Sequence, residues 1–248
     1  MSVIVKRTGH RAPRARANDP RVVRSRAAVV TAARELFLRK GYAATTMDEI
    51  AARAGLTKRT LYNNYADKGA LFTAIVTDVM AYAENFARGL HEEFTVGVTK
   101  ATLESSLGDL GKRLALGIMR PEVIALRRLL IAEAREFPAL GAKYFDRAPG
   151  QVLEGLASGF EYLGRIGLLR VGDARLAAAQ FAYLVVGEAL DRAMLVGTLP
   201  PTEQVVGRAR EGVQTFLARY GVTRPAQKGV NQKSRPRQVG RHRSRSDR

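Results

Sequence analysis

The chain has 248 residues, with 41 Lys or Arg against 23 Asp or Glu, three His and no Cys, for a formal net charge of +18 at pH 7. Without cysteine, disulfide frameworks and thiolate metal sites are excluded, and nothing points to an oxidising compartment. The charged N-terminus is followed by no apolar signal core, and the most apolar long stretch, Phe181 to Leu190, is interrupted by Glu188, so neither export nor a membrane span is read and a cytoplasmic location is expected.

Residues 1–20 form a basic front arm. Its run RTGHRAPRARANDPR lacks apolar periodicity and reads as disordered, because it cannot bury enough surface to offset the entropy of ordering. A first helix is expected from about Arg21 to Arg39, ended by Gly41. Thr46 and Glu49 then form a T-x-x-E capping box, which satisfies two orphan backbone N–H groups reciprocally and starts a short helix at about Met47. Met47, Ile50, Ala51 and Ala54 fall on one inward stripe, leaving Asp48, Glu49 and Arg53 to water. Gly55 stands where the helix end needs a left-handed residue, and Thr57 is placed to cap the next helix. The pair has the spacing of a helix-turn-helix that carries a reading helix into DNA.

The second helix of that pair runs from Lys58 to about Asn64 with one clear core residue, Leu61. The rest of its surface shows Lys58, Arg59, Thr60, Tyr62, Asn63 and Asn64. Lys and Arg can donate to guanine O6 and N7, Asn can pair with adenine, and hydroxyls can reach phosphate oxygens. A short basic helix is often only a solvated face. The capped partner helix and the glycine turn favour the DNA-reading alternative here, with Thr57 counted on the DNA-facing side.

A long helix follows from Lys68 to about Arg88, with Asp67 available as its cap. Further helices are expected at 101–118, at 121–136 with Pro121 in the first turn and Pro138 as a stop, and at 149–167, 174–197 and 202–220. No alternating β-branched run suggests a sheet, so the fold is read as all-α. A small domain, 21–75, would precede a larger helical one, 76–223. Phe86, Leu90, Leu114, Met119, Leu130, Phe160 and Phe181 are candidates to line a pocket between helices, although such stripes are needed for packing in any case. The 174–197 helix is rich in small and apolar residues (Ala177, Ala178, Ala179, Ala182, Val185, Val186, Ala189, Leu190), and the last helix supplies Val205, Val206, Val213, Phe216 and Leu217. These two helices are a candidate dimer surface, intrachain packing being the alternative.

A basic tail, 224–248, closes the chain. It holds nine Lys or Arg against Asp247, while residues 1–26 hold eight against Asp19. Residues 27–75 hold seven basic and four acidic side chains, and residues 76–223 hold seventeen of each. Between the arms, only the helix-turn-helix part is basic, which fits a module binding polyanion at one end and an uncharged ligand or protein partner at the other. Either arm could neutralise phosphates and steepen the salt dependence of binding, or remain a solvated extension.

The run from Ala27 to Leu71, with AARELFLRKGYAATTM followed by IAARAGLTKRTLYNNYADKGALF, resembles the DNA-binding domain of TetR-type transcriptional regulators. Tyr65 and Gly69 depart from the usual Phe and Glu. The resemblance implies that Lys58, Arg59 and Thr60 enter the major groove, that Tyr62, Asn64 and Lys68 contact bases or backbone near its edge, and that Tyr42 and Thr46 touch phosphates. The later segment RRLLIAEAREFPALGAKYFDRAPGQVL is similar to the C-terminal domain of AefR-like members, which implies a small-molecule pocket and a homodimer. The expected function is a dimeric repressor released from a palindromic, double-stranded operator by an unidentified effector, with no cofactor.

Two other functional classes fit the residues less well. An enzyme finds little support: His10 and His242 lie in the arms, and His91 follows the long helix with no second His to build a metal site. Glu92 and Glu93 are adjacent rather than one turn apart, and no phosphate loop or nucleophile elbow occurs. Sequence-neutral DNA packaging through the basic arms remains the alternative and predicts no preference among duplexes.

Overall fold

The computed structural model describes residues 19–95 and 97–222. The expected basic arms, 1–20 and 224–248, lie outside the described residues except for Asp19 and Pro20. The described chain folds as α1 (Pro20–Lys40), α2 (Met47–Arg53), α3 (Lys58–Asn64), α4 (Lys68–Thr95), α5 (Leu103–Ile118), α6 (Pro121–Ala132), α7 (Pro138–Phe145), a π-helical turn (Asp146–Gly150), α8 (Gln151–Arg165), α9 (Ala174–Val196) and α10 (Thr202–Tyr220). An isolated antiparallel bridge ties Leu169 to Gly221. None of the described helices is long and apolar enough to cross a membrane.

Local chemistry sets most of these ends. The Asp19 carboxylate accepts from the Arg21 N–H and Pro20 occupies the first turn of α1, where its missing N–H costs nothing. Asp67 caps α4 through the Ala70 N–H at 2.6 Å. The expected helix over 121–136 stops at Ala132. Four residues of turn then bring Phe137 to within 5.1 Å of the Tyr42 ring and 5.2 Å of Phe72, a long-range contact with no sequence signature. Pro138, read as a stop, instead starts α7: it occupies the same first-turn position as Pro121 in α6. A π-helical turn carries Pro149 between α7 and α8, where a residue lacking an N–H is accommodated by the altered bonding. The long helix α4 continues beyond Arg88 to Thr95, about 42 Å in all at 1.5 Å per residue, so His91 lies within it rather than after it.

Two cores result. The first gathers Phe37 of α1, Ile50 of α2, Leu61 of α3 and Leu71, Phe72, Ile75 and Val76 of α4. It also takes in Leu126, Leu129 and Leu130 of α6, with Leu140 and Tyr144 of α7. The second joins Leu90 and Phe94 of α4 to α5, α8, α9 and α10 around Phe160, Phe181 and Phe216, whose ring centroids lie 4.9 to 5.3 Å apart. Each such ring pair adds about 0.5–1.5 kcal/mol beyond simple burial. The boundary expected at 75/76 falls inside α4, which contributes to both cores. Helices α9 and α10 pack very closely at Gly212, where an added Cβ would stand 2.4 Å from the Leu184 carbonyl oxygen.

Candidate nucleic-acid interface and interhelical cavity

The capping box expected at the start of α2 is present in both directions. The Glu49 N–H donates to Thr46 Oγ1 at 3.3 Å, and the Thr46 N–H donates to Glu49 Oε2 at 3.0 Å. Lys40 at the end of α1 donates to the other Glu49 oxygen. That bond, followed by the Thr46 N–H, holds the Glu49 carboxyl below its ordinary range. Gly55 then adopts φ +67°, the left-handed region where a Cβ is penalised, and turns the chain into α3. Thr57 caps α3 by accepting from the Thr60 N–H at 3.1 Å, and the two hydroxyls share a hydrogen bond of 2.8 Å.

Leu61 is the buried residue of α3, as expected, and it fixes the helix by one side. Thr57, Lys58, Arg59, Tyr62 and Asn63 are exposed on the other side, while Thr60 and Asn64 are half-buried. The cations on this face differ. Lys58 is held by Asp48 of α2 at 2.9 Å, and that hydrogen bond keeps its ammonium above the ordinary lysine range. Arg59 makes no hydrogen bond or ion pair with any described residue. Asn64 donates to the Thr60 carbonyl at 3.0 Å and approaches Ser25 Oγ at 3.5 Å, so its amide braces α3 against α1.

Tyr42 and Lys68 form a separate arrangement at the edge of this face. The Lys68 ammonium donates to the carbonyls of Tyr42 at 2.8 Å, Ala43 at 3.3 Å and Thr45 at 2.9 Å, and sits 4.3 Å from the Tyr42 ring centroid. A single side chain from α4 thereby ties down the loop leading into α2. Tyr42 is half-buried against Phe37, Phe72 and Phe137. Burial, with smaller contributions from the nearby Asp67, Glu136 and Glu133 carboxylates, raises its phenol above the ordinary range.

At the other end, α4 to α9 enclose a cavity of about 880 Å³, its open mouth included. Of the seven residues expected to line a pocket, Phe86 and Leu114 do so. Leu90, Phe160 and Phe181 are instead fully buried in the second core, Met119 packs in that core too, and Leu130 belongs to the first. An apolar residue at helical spacing reads the same whether it ends in a cavity wall or in a core. The missed lining residues include Tyr82, Arg113, Arg127 and Tyr183 together with Val79, Ile118 and Val186, and Tyr144 of α7 lines it too. Pro149, Val152 and Leu153 complete a wall built from the unforeseen π-helical turn and the start of α8. Tyr144 is 8% exposed, and burial raises its phenol, keeping it a neutral hydrogen-bond donor at neutral pH.

Helix α6 lies between these two regions. Val123 and Arg127 face the cavity, whereas Leu126, Leu129 and Leu130 are buried in the core that holds α1, α2 and α3. The next residue, Arg128, donates to the carbonyls of Ala193 at 3.3 Å and Met194 at 2.8 Å near the end of α9.

The small and apolar residues proposed from sequence for dimer contact are mostly used within the chain. Ala177, Ala178, Val185, Val186 and Ala189 of α9, and Val205, Val213 and Phe216 of α10, are all buried in the single protomer. The large apolar side chains left outside on α9 are others: Leu176, Tyr183 and Leu184 along the helix, and Leu195 and Val196 at its end.

Residues 29–75 match the family described as bacterial regulatory proteins of the tetR family, and residues 105–222 match the AefR-like transcriptional repressor C-terminal domain. A crystal structure described as a TetR-family transcriptional regulator from Mesorhizobium loti is 30% identical with TM-score 0.73; the match covers 82% of this chain and 100% of that one. The flavonoid-responsive regulator FrrA is 28% identical with TM-score 0.60, over 80% of this chain and 98% of its own. The transcriptional activator FasR of Mycolicibacterium smegmatis is 36% identical over 86 residues, which is 35% of this chain and 34% of FasR.

Proposed function

The chain belongs to the TetR family of DNA-binding transcriptional regulators, with an AefR-like C-terminal domain, and on that premise we propose that it is a dimeric repressor released from a palindromic operator by a small effector. The observation that carries this reading is the placement of α6, which is shared by the cavity and the core beneath the reading helix. An effector that prefers one position of α6 shifts the population of reading-helix positions by its differential affinity for the two.

On the DNA side, α3 is the reading helix. Arg59, free of protein partners among the described residues, donates to a base edge, and Lys58 exchanges Asp48 for the nucleic acid. Thr57, Thr60, Tyr62, Asn63 and Asn64 contribute hydroxyls and amides. Tyr42, Thr46 and Lys68 serve the phosphate backbone, Lys68 also by fixing the loop that presents the other two. Two copies meet through α9 and α10, with Leu176, Tyr183 and Leu184 as the apolar contact on α9. That symmetry sets the reading helices about 34–36 Å apart, one turn of duplex. The flavonoid response of FrrA and the activator role of FasR bear on the effector and on the sign of regulation. The balanced charge of residues 76–223 favours a releasable, sequence-specific regulator over packaging by basic arms.

The test is selection of bound duplexes from a random pool at near-physiological salt, with the full chain. Enrichment of a two-fold symmetric site is expected. Uniform retention of all sequences would favour sequence-neutral packaging and reject the proposal.

A further inference from the structure

The cavity has an asymmetric chemistry. Its lining contains no Asp, Glu, Asn, Gln, Ser, Thr or His; apart from backbone, its polar groups are the phenols of Tyr82, Tyr144 and Tyr183 and the guanidinium groups of Arg113 and Arg127. Arg113 is already neutralised by Glu93. Arg127, half-buried on α6, has neither an ion pair nor a hydrogen bond among the described residues, and the group it acts on electrostatically is the Tyr144 phenol. A half-buried guanidinium beside apolar walls, with no carboxylate paired to it among the described residues, offers an incoming anion a charge-assisted partner at small desolvation cost.

We infer that the effector is an amphipathic acid, an apolar body lying along α4, α5 and α8 with a single carboxylate, or an equally acidic group, paired with Arg127. This rests on the reading of the cavity as the effector site. Val79, Phe86, Leu114, Ile118 and Val152 supply an apolar wall for the body. The planar fork of Arg127 suits a carboxylate held by two parallel bonds, and the neutral Tyr144 hydroxyl, on the same side, can donate a third. A cationic amphiphile meets the opposite situation, an unpaired Arg127 and no acid in the lining. Because Arg127 shares α6 with Leu126, Leu129 and Leu130, an anion that draws the guanidinium inward loads the helix packed beneath the reading helix.

Titration calorimetry on the full-length protein can decide this with probes that differ in one end group: decanoate, decanol and decyltrimethylammonium, and biphenyl-4-carboxylate with its alcohol for a flat body. At least one acid is expected to bind about tenfold or more tightly than its alcohol, and the ammonium probe least tightly. Arg127→Met should abolish the preference for the acid while leaving alcohol affinity and the thermal midpoint close to wild type; Tyr144→Phe should reduce the preference in part. Alcohols that bind as tightly as their acids, or an acid preference that survives Arg127→Met, would overturn the inference and leave the cavity as a site for neutral ligands. If no probe binds, the cavity reading fails along with it.

Discussion

The helix-turn-helix end and the cavity end of this protein are built by different means. Around α2 and α3 the geometry follows from neighbours in sequence: the Thr46–Glu49 box, the left-handed Gly55, the Thr57 cap and one buried leucine, Leu61. Around the cavity, side chains from α4 through α9 meet across long separations, and no residue's role follows from its immediate neighbours. The first arrangement sets the surface proposed to read DNA by short-range hydrogen bonds. The second leaves a space whose shape depends on how several helices lean, which is what an effector needs to act on.

Mutations can separate the two regions. The largest effect is expected from Phe160→Ala in the aromatic centre of the second core, about 3–5 kcal/mol of stability by equilibrium denaturation. A much smaller loss would mean that this core tolerates the gap and is looser than its packing implies. Arg59→Ala should remove about 1–3 kcal/mol of discrimination between operator and random duplex at nearly unchanged stability. Lys68→Met, which frees the loop around Tyr42, should instead weaken binding to all sequences alike. Competition binding distinguishes the two, and equal losses on both duplexes for Arg59→Ala would reject its base-reading role.

Thr46→Ala should cost about 0.5–2 kcal/mol through loss of the cap, with cavity-ligand affinity unaffected. The smallest effect concerns pH. The Glu49 carboxyl is held below its ordinary range in the folded chain, so its contribution is complete above the ordinary carboxylate range and is lost as pH falls through the lowered folded value. Glu49→Gln should flatten the acid side of the stability profile, and a profile identical to wild type would remove Glu49 from the explanation of acid sensitivity.

The same contrast explains what could be read from the sequence. The capping box, the glycine turn and the solitary Leu61 were legible because each is a short-range rule written within four residues. The spans expected at 174–197 and 202–220 lie within a residue of α9 and α10, and the structure shows Asp173 accepting from the Leu176 N–H at the start of α9. Helix α7 is hard to read because Pro138, following a helical pattern, looks like a terminator, whereas it occupies the same first-turn position as Pro121. The cavity was mostly illegible: Phe160 and Leu114 look alike as apolar helical residues and both are buried, and only the packing of the assembled helices puts Leu114 at the cavity wall. Arg127 carried no signal at all, since its lack of a partner is a property of the assembled fold.

Under the proposed mechanism the state of the cavity sets how well α3 reads DNA. Gly117 on α5 lines the cavity, and a Cβ added there meets nothing within 4 Å, so Gly117→Phe can occupy the space without any ligand. Operator affinity, measured by fluorescence anisotropy on the selected duplex, should fall by about tenfold in this variant while the fold remains at least as stable, Gly being a poor helix former. Unchanged operator affinity, with ligand binding to the cavity blocked by the new ring, would contradict the coupling of the two ends.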